Sequence, residues 1–208
     1  MWGEGHLRGL QQPQRAHLLR LQAPCGAKGS GVDEARARAG GVVIDRGWFF
    51  AGATFSDDEQ YRYRLWRMWE VQSVPMVFVM LNPSTADEQR LDPTLRRCEG
   101  FARREGRGGL MVVNLFGLRA TDPRALERHT DPVGPENDEI IRDVLSAADP
   151  WVVAWGSHPI VRRFDRVGRL LELSPGARLP LCLGINRDGQ PRHPLYVPRD
   201  CPLMKWVP

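Results

Sequence analysis

The chain has 208 residues, of which 42% are apolar, and its formal net charge at pH 7 is +4, so it is long enough for one sizeable core. A continuous run of 18 apolar residues does not occur, which excludes a transmembrane helix, and the first residues lack the apolar stretch of a signal peptide. The four cysteines are scattered without a C-x-x-C pair, which argues against a zinc site and a disulfide framework. We therefore expect a cytoplasmic protein with reduced thiols, no metal and no other cofactor.

The positive charge is concentrated at the N-terminus. Residues 1–40 contain six Lys/Arg and three Asp/Glu, whereas the rest of the chain contains 23 and 22. This first segment has no periodic apolar face, so it cannot offset the entropy that ordering would cost. We expect residues 1–40 to be disordered or a non-native extension, and residues 41–208 to form a single α/β domain of nearly neutral charge.

The predicted domain begins with a hairpin and a helix. In "GGVVIDRGWFFAGATF", two β-rich runs flank Asp45-Arg46-Gly47, which predicts the hairpin. In "SDDEQYRYRLWRMWE", Ser56 and Glu59 have the spacing of a capping box. Apolar residues then recur at helical spacing: Tyr61, Leu65, Met68 and Trp69. This segment therefore predicts an amphipathic helix with its arginines on the other faces.

Apolar strands and amphipathic helices then alternate. The predicted strands are 76–81, 110–115, 151–155 and 179–184. The intervening segments have helical apolar stripes: Leu95, Cys98, Phe101 and Ala102; Ile140, Ile141, Val144 and Leu145; Val161, Phe164, Val167 and Leu171. Continuously apolar strands separated by helices are typical of a parallel sheet covered on both faces. We predict a three-layer α/β/α sandwich with a mainly parallel sheet of about four strands.

Each predicted strand is followed by a polar cluster. The clusters are "NPSTAD", "NLFGLRATDP" and "WGSHP", with "RHPLY" after the fourth strand. The carboxyl ends of parallel strands lie at one edge of a sheet, where open α/β sheets bind ligands. The clusters therefore predict one pocket that contains Asn82, Asn114, Trp155 and His193.

The same phrases carry a resemblance to known families. "LNPSTAD", "DPTLRRC", "VVNLFGLRATDP" and "PRHPLY" resemble recurring phrases of the bacterial and phage family called domain of unknown function 1643, over about residues 53–196. More distantly, "MLNPS", "VVNLFGLRAT", "AWGSH" and "HPLY" are similar to the signature motifs of the uracil-DNA glycosylase superfamily. That resemblance implies a parallel α/β/α sheet and a protein that recognises a nucleobase.

The glycosylase resemblance also implies roles for single residues. Asn82 matches the residue that positions the attacking water, and His193 matches the histidine that donates to the departing base. Asn114 matches the amide that reads the base edge, and Leu195 lies near the leucine that wedges into the duplex. Ser84 stands where a tyrosine excludes 5-substituted pyrimidines. The remaining predicted binding residues lie in the same clusters: Pro83, Thr85, Asp87, Arg119, Trp155 and His158.

Structural roles compete with each of these functions. Asn82 before Pro83 can simply end a strand, and His158 can cap the helix that follows it. The arginines of the helix predicted to begin at Asp92-Pro93 can contact phosphate or form a solvated face paired with Glu99 and Glu105.

Three functional hypotheses follow. The first is an enzyme that cleaves an N-glycosidic bond in DNA or a nucleotide, with no membrane or metal partner. The second is a module of the same fold that binds a nucleobase-containing ligand without chemistry. The third, a protein-interaction domain, is disfavoured by the polar edge of the sheet, because interface cores are depleted in charged residues.

Overall fold

The computed structural model describes residues 36–40, 50–70, 73–84, 93–174 and 180–208, with residues 36–40 described as backbone only. Eight strands are present in these ranges: β1 (Arg36–Gly40), β2 (Phe50–Phe55), β3 (Arg62–Met68), β4 (Pro75–Met80), β5 (Gly109–Asn114), β6 (Trp151–Val153), β7 (Leu181–Cys182) and β8 (Met204–Lys205). The helices are α1 (Pro93–Arg104), α2 (Arg124–Arg128), α3 (Asn137–Ser146), α4 (Ile160–Arg163) and α5 (Arg166–Leu173), with a 3-10 helix at Pro194–Tyr196. None of the helices in the described ranges is long and apolar enough to cross a membrane.

The strands form a mixed sheet with the spatial order β1-β2-β3-β5-β4-β6-β7-β8. Strands β5, β4, β6 and β7 run parallel to one another and correspond to the four predicted strands. The pairs β1–β2, β2–β3, β3–β5 and β7–β8 are antiparallel. The prediction of a mainly parallel sheet of about four strands is therefore wrong, since antiparallel strands extend the sheet on both sides.

The largest error is the predicted helix that follows Ser56, because this segment forms strand β3. The Ser56 hydroxyl caps no helix: it donates to Asp58 Oδ1 at 2.6 Å and accepts from the Tyr61 N–H at 3.0 Å. Glu59 has a left-handed φ of 58°, as a residue in a tight turn does. The polar residues that resemble a capping box form the turn between β2 and β3.

Burial explains why a strand is favoured at β3. Every residue from 61 to 69 is buried, whereas an amphipathic surface helix would expose one face. The arginines of β3 are buried with the rest, and strand β2 provides acceptors for them. Arg64 Nε donates to Thr54 Oγ1 at 2.9 Å, and Arg67 Nη1 donates to the Gly52 carbonyl at 3.3 Å.

The core lies on both faces of the sheet. Helix α1 packs one face through the predicted stripe of Leu95, Cys98, Phe101 and Ala102, which is confirmed. Helix α3 packs the other face through its predicted stripe, which is also confirmed. The predicted stripe after β6 is partly wrong: Phe164 and Leu171 are 37% and 38% exposed. The chain there forms two short helices separated by Asp165, whose φ of 46° interrupts the helical phase.

Two predictions fall partly or wholly outside the described residues. The hairpin around Asp45-Arg46-Gly47 lies outside them, as do residues 1–35 of the predicted disordered segment. Strand β1 occupies the last five residues of that segment and pairs with β2. The boundary of the domain at residue 41 stays a prediction.

Side chains from α3 and α5 hold the carboxyl end of β5 in place. Asn137 Nδ2 donates to the Asn114 carbonyl at 3.0 Å, and Arg166 Nε donates to the Leu115 carbonyl at 2.9 Å. Arg166 is 4% exposed and pairs with Asp138 at 2.5 Å. Burial on its own would raise the pKa of Asp138, but hydrogen bonds from Arg166 and Arg169 outweigh it and hold that pKa below its ordinary value.

Replacing Asp138 with Asn should lower the free energy of unfolding by about 1.5–3 kcal/mol at neutral pH, because the buried Arg166 loses its charged acceptor. A carboxyl group with a lowered pKa stabilises the fold above its unfolded pKa, whose ordinary value is 3.8, and this contribution is lost as the pH falls through the folded pKa. The difference between the wild type and Asp138→Asn should therefore shrink near pH 3. Urea denaturation at neutral pH and near pH 3 measures both effects.

The matched control is Asp143→Asn, on the same helix, which should change stability by less than about 0.5 kcal/mol. Equal stabilities of the two variants at neutral pH would contradict the role given to Asp138.

Candidate functional site

A cavity of about 670 Å³ opens where β4, β5 and β6 end. Its volume lies in the range of roughly 300–1,000 Å³ that is typical of small-molecule sites. Seven of the predicted site residues line it: Asn82, Pro83, Ser84, Asn114, Trp155, His158 and His193. The structure therefore brings residues from four separate polar clusters around a single space.

The pairing of β4 with β5 continues beyond the sheet and positions two sides of the cavity. Met80 and Asn114 are register partners at the ends of the strands. The Leu115 N–H donates to the Met80 carbonyl at 2.8 Å, and the Ala120 N–H donates to the Pro83 carbonyl at 2.9 Å. These hydrogen bonds hold the loop after β5 against the loop after β4.

The side chain of Asn82 joins the same two loops. Its Nδ2 donates to the Ala120 carbonyl at 2.8 Å and to the Pro83 carbonyl at 3.1 Å. Two carbonyl acceptors identify this atom as the nitrogen and fix the amide orientation. Within the described residues, nothing donates to Oδ1, so this oxygen can accept from a water or a ligand.

Asn114 ends β5 at the wall of the cavity. It is 3% exposed, and its backbone carbonyl accepts from Asn137. In the described part of the chain, its side-chain amide has no hydrogen-bond partner although it lines the cavity. An amide carries both donors and an acceptor, so this side chain can pair with a ligand that offers both.

Trp155 and Gly156 form the side of the cavity next to β6. Trp155 is 2% exposed, its Nε1 donates to Gln190 Oε1 at 2.7 Å, and its ring meets Trp206 edge-on at 5.2 Å. The indole is therefore a fixed wall. Gly156 has a φ of +80°, which favours glycine, and its N–H donates to the Pro191 carbonyl at 3.1 Å. This hydrogen bond brings the segment before His193 to the end of β6.

Both histidines of the cavity accept a backbone hydrogen bond at Nδ1. His193 accepts from the Leu195 N–H at 3.3 Å, and His158 accepts from the Ile160 N–H at 3.3 Å. A neutral imidazole that accepts at Nδ1 carries its proton on Nε2. His193 therefore has an Nε2–H donor, and His158 also has the helix-capping role that the sequence left open.

Two predicted site residues that the structure describes, Arg119 and Leu195, do not line the cavity. Arg119 Nη1 donates to the Glu59 carbonyl at 2.9 Å, and its guanidinium lies 5.1 Å from the Phe55 ring, so it supports the turn before β3. Leu195 is 41% exposed beside the opening. Thr85 and Asp87 lie outside the described residues.

Arg62, Arg192 and Tyr196 are among the lining residues that sequence reasoning missed. Arg62 is 5% exposed in the cavity wall, but the helix prediction had placed it on an outer face. Arg192 lines the cavity from the segment before His193. Tyr196 lies at the opening, 80% exposed, with its ring 5.6 Å from that of His193. The phrase "RHPLY" contained Arg192 and Tyr196, whereas nothing in the sequence indicated Arg62.

The charged lining side chains are Arg62 and Arg192, and the described lining contains no Asp or Glu. Such a wall favours ligands that carry negative charge or hydrogen-bond acceptors. In the described ranges, no group of three His, Cys, Asp or Glu side chains is arranged to hold a metal ion.

Comparison with known proteins identifies the family. The family described as protein of unknown function (DUF1643) matches residues 62–195. The chain belongs to this family. The matched range contains every lining residue except Tyr196. Neither the curated proteins nor the solved structures gave a significant match to the chain.

Replacing Asn82 with Asp should destabilise the protein by about 1–3 kcal/mol at neutral pH, because a carboxylate oxygen would face the carbonyls that now accept from Nδ2. Near pH 3 the loss should be smaller, because a protonated carboxyl can donate one of these hydrogen bonds. Thermal unfolding at the two pH values tests this. An Asp variant as stable as wild type at neutral pH would show that the amide does not join the two loops.

Proposed function

We propose that the cavity binds a nucleobase and that the surrounding side chains support hydrolysis of its N-glycosidic bond in DNA or a nucleotide. The observation that carries the proposal is Asn114: a buried amide that lines the cavity and has no partner among the described residues. The edge of a nucleobase offers adjacent donors and acceptors, which an asparagine amide can pair with in a bidentate manner.

His193 and Asn82 fit the two further needs of this reaction. When the glycosidic bond breaks, its electron pair stays on the base nitrogen, and the His193 Nε2–H donates to the base as negative charge develops. A water adds to the sugar carbon and loses its proton to solvent, and Asn82 Oδ1 accepts a hydrogen bond that orients it. The similarity of the four polar clusters to uracil-DNA glycosylase motifs supports these roles.

Asn82 also supports a second candidate, a module that binds the same ligand without turnover. The Asn82 amide makes two hydrogen bonds to backbone carbonyls, which is the bonding that a purely structural residue needs. An amide is also a weaker base than a carboxylate, so it contributes to water activation only through orientation. The two candidates share the base-binding role of Asn114.

Incubation of the purified protein with defined substrates separates the two candidates. The substrates are DNA that contains uracil, hypoxanthine or hydroxymethylated bases, and the corresponding free nucleotides. Release of a free base establishes the hydrolase. Saturable binding of any of these ligands without release establishes the binding module. If the protein neither binds nor cleaves any of these ligands, the proposed function is wrong.

Three variants should separate binding from chemistry. Asn114→Ala should weaken ligand binding by about 1–3 kcal/mol, because it removes contacts made in the ground state. His193→Ala should slow the chemical step by about 2.7–4 kcal/mol, as expected for the loss of one donor to developing negative charge. Asn82→Ala should also slow this step while leaving affinity close to that of wild type. Single-turnover rates and equilibrium affinities measure these effects.

His129→Ala is the matched control for His193→Ala, since His129 lies outside the cavity and accepts from the Asp131 N–H. This control should keep wild-type rate and affinity. An Asn82→Ala variant that cleaves at the wild-type rate would leave Asn82 with its strand-ending role alone.

A further inference from the structure

The dipeptide His-Pro occurs twice in the chain, as His158-Pro159 and as His193-Pro194. Proline has no backbone N–H, and in both places the imidazole Nδ1 accepts from the N–H of the residue after the proline, at 3.3 Å. Both rings therefore carry their proton on Nε2, and both residues line the cavity. The proposed reaction uses the donor of His193, which leaves His158 as a second imidazole donor at the cavity.

Arg192 supplies a charged donor to the same cavity. Its backbone N–H donates to the Gly184 carbonyl at 2.8 Å. Its Cδ lies 3.2 Å from the position that a Cβ would take at Gly184, so the missing side chain of this glycine leaves room for the arginine stem. Among the described residues, the Arg192 guanidinium has no hydrogen bond or ion pair, and Arg192 lines the cavity. This group stays protonated at physiological pH.

His158 and Arg192 lie on two chain segments that contact each other. The Gly156 N–H donates to the Pro191 carbonyl at 3.1 Å, and a Cβ built at Gly156 would lie 3.6 Å from that of His193. Strands β6 and β7, which precede the two segments, are parallel neighbours. The two donors therefore belong to the same side of the cavity, next to the ends of β6 and β7.

An acidic residue near these segments has other partners. Asp188, on the turn that follows β7, accepts from Ser157 Oγ at 3.0 Å through Oδ1, and its Oδ2 lies 3.6 Å from Arg162 Nη2. Asp188 is not among the described residues that line the cavity. The described wall on this side therefore presents donors to a ligand and no carboxylate that would repel an anion.

We propose that His158 and Arg192 form a phosphate subsite, so that the ligand of the cavity is a nucleotide, free or within a strand, and not a free base; this inference rests on the proposed function. The Nε2–H of His158 donates to one phosphate oxygen, and the guanidinium of Arg192 donates to others in a charge-assisted, bidentate manner.

The width of the sheet supports the assignment of a whole nucleotide. Asn114, proposed to read the base, ends β5, whereas His158 follows β6, and β4 lies between these two strands. Neighbouring strands are about 4.8 Å apart, so β5 and β6 are separated by about 10 Å. A base alone is too small to contact both sides of such a cavity. A nucleotide can do so, because its sugar lies between the base and the phosphate.

The test compares nucleosides with their monophosphates by isothermal titration calorimetry. The probes are deoxyuridine, deoxyinosine and hydroxymethyldeoxyuridine, each with and without phosphate. The wild type should bind at least one monophosphate about tenfold more tightly than its nucleoside, as expected for a hydrogen bond to a charged group. His158→Asn and Arg192→Gln should each remove most of this difference and change nucleoside affinity far less. Asparagine retains an acceptor for the Ile160 N–H but lacks the Nε2 donor, so the local turn is kept.

Two variants outside the cavity are the matched controls. Arg187→Gln removes an exposed arginine of the turn after β7, and His129→Asn changes a histidine whose Nδ1 accepts from the Asp131 N–H. Neither residue is among the described lining of the cavity, so both variants should keep the wild-type preference for the monophosphate.

The outcomes separate this inference from the proposed function. If the wild type binds a nucleoside and its monophosphate equally, or if His158→Asn and Arg192→Gln leave the preference for the monophosphate intact, the phosphate subsite is wrong and the base-binding role of the cavity stands. If no nucleoside or monophosphate binds, inorganic phosphate decides: the subsite stands without the proposed function only when the wild type binds phosphate and both variants weaken that binding. A short single-stranded DNA that contains the same base and binds more tightly than the monophosphate, with the same losses in the variants, would assign the phosphate to a strand.

Discussion

The parallel register of β4 and β5 is the constraint on which the candidate site depends. It pairs Met80 with Asn114, so the two loops that follow these strands begin at the same edge of the sheet. Backbone hydrogen bonds from Leu115 and Ala120 and the side chain of Asn82 then hold the loops together. A shift of the register by one residue would turn Asn114 to the other face of the sheet.

The support for this register comes from the helical layer. Asn137 and Arg166 bind the carbonyls at the end of β5, and Asp138 holds Arg166 in place. The buried polar groups of α3 and α5 thereby position Asn114 through hydrogen bonds to the backbone, while the Asn114 side chain lines the cavity. Such an arrangement suits a site that must be rigid before a ligand arrives.

Sequence reasoning was most successful where local pattern and tertiary role agree. The strands that end at Met80 and Asn114 are continuously apolar and stop at polar residues, so both their positions and the shared edge could be predicted. It failed at β3, where Tyr61, Leu65 and Met68 have helical spacing but the whole segment is buried between β2 and β5. Arginines on a predicted surface helix are expected to be solvated, and nothing local showed that Arg62 would line a cavity. Tertiary pairing outweighed local propensity there.

Two side chains of the cavity are held in place by hydrogen bonds. The Asn82 amide donates to the Pro83 and Ala120 carbonyls, and the Trp155 indole donates to Gln190 Oε1. The segment from Arg192 to Tyr196 borders the same cavity, and Arg97 holds this segment by donating to the Pro194 carbonyl at 3.1 Å.

The most direct measurement is the side-chain amide resonance of Asn114 in a 1H–15N spectrum, assigned by its loss in Asn114→Ala, while uracil, hypoxanthine and hydroxymethylated bases are added in turn. The account predicts that at least one base shifts this resonance saturably, with one base bound per chain. A resonance that stays unchanged with every base, in a protein that is folded throughout, would contradict the claim that Asn114 reads a nucleobase.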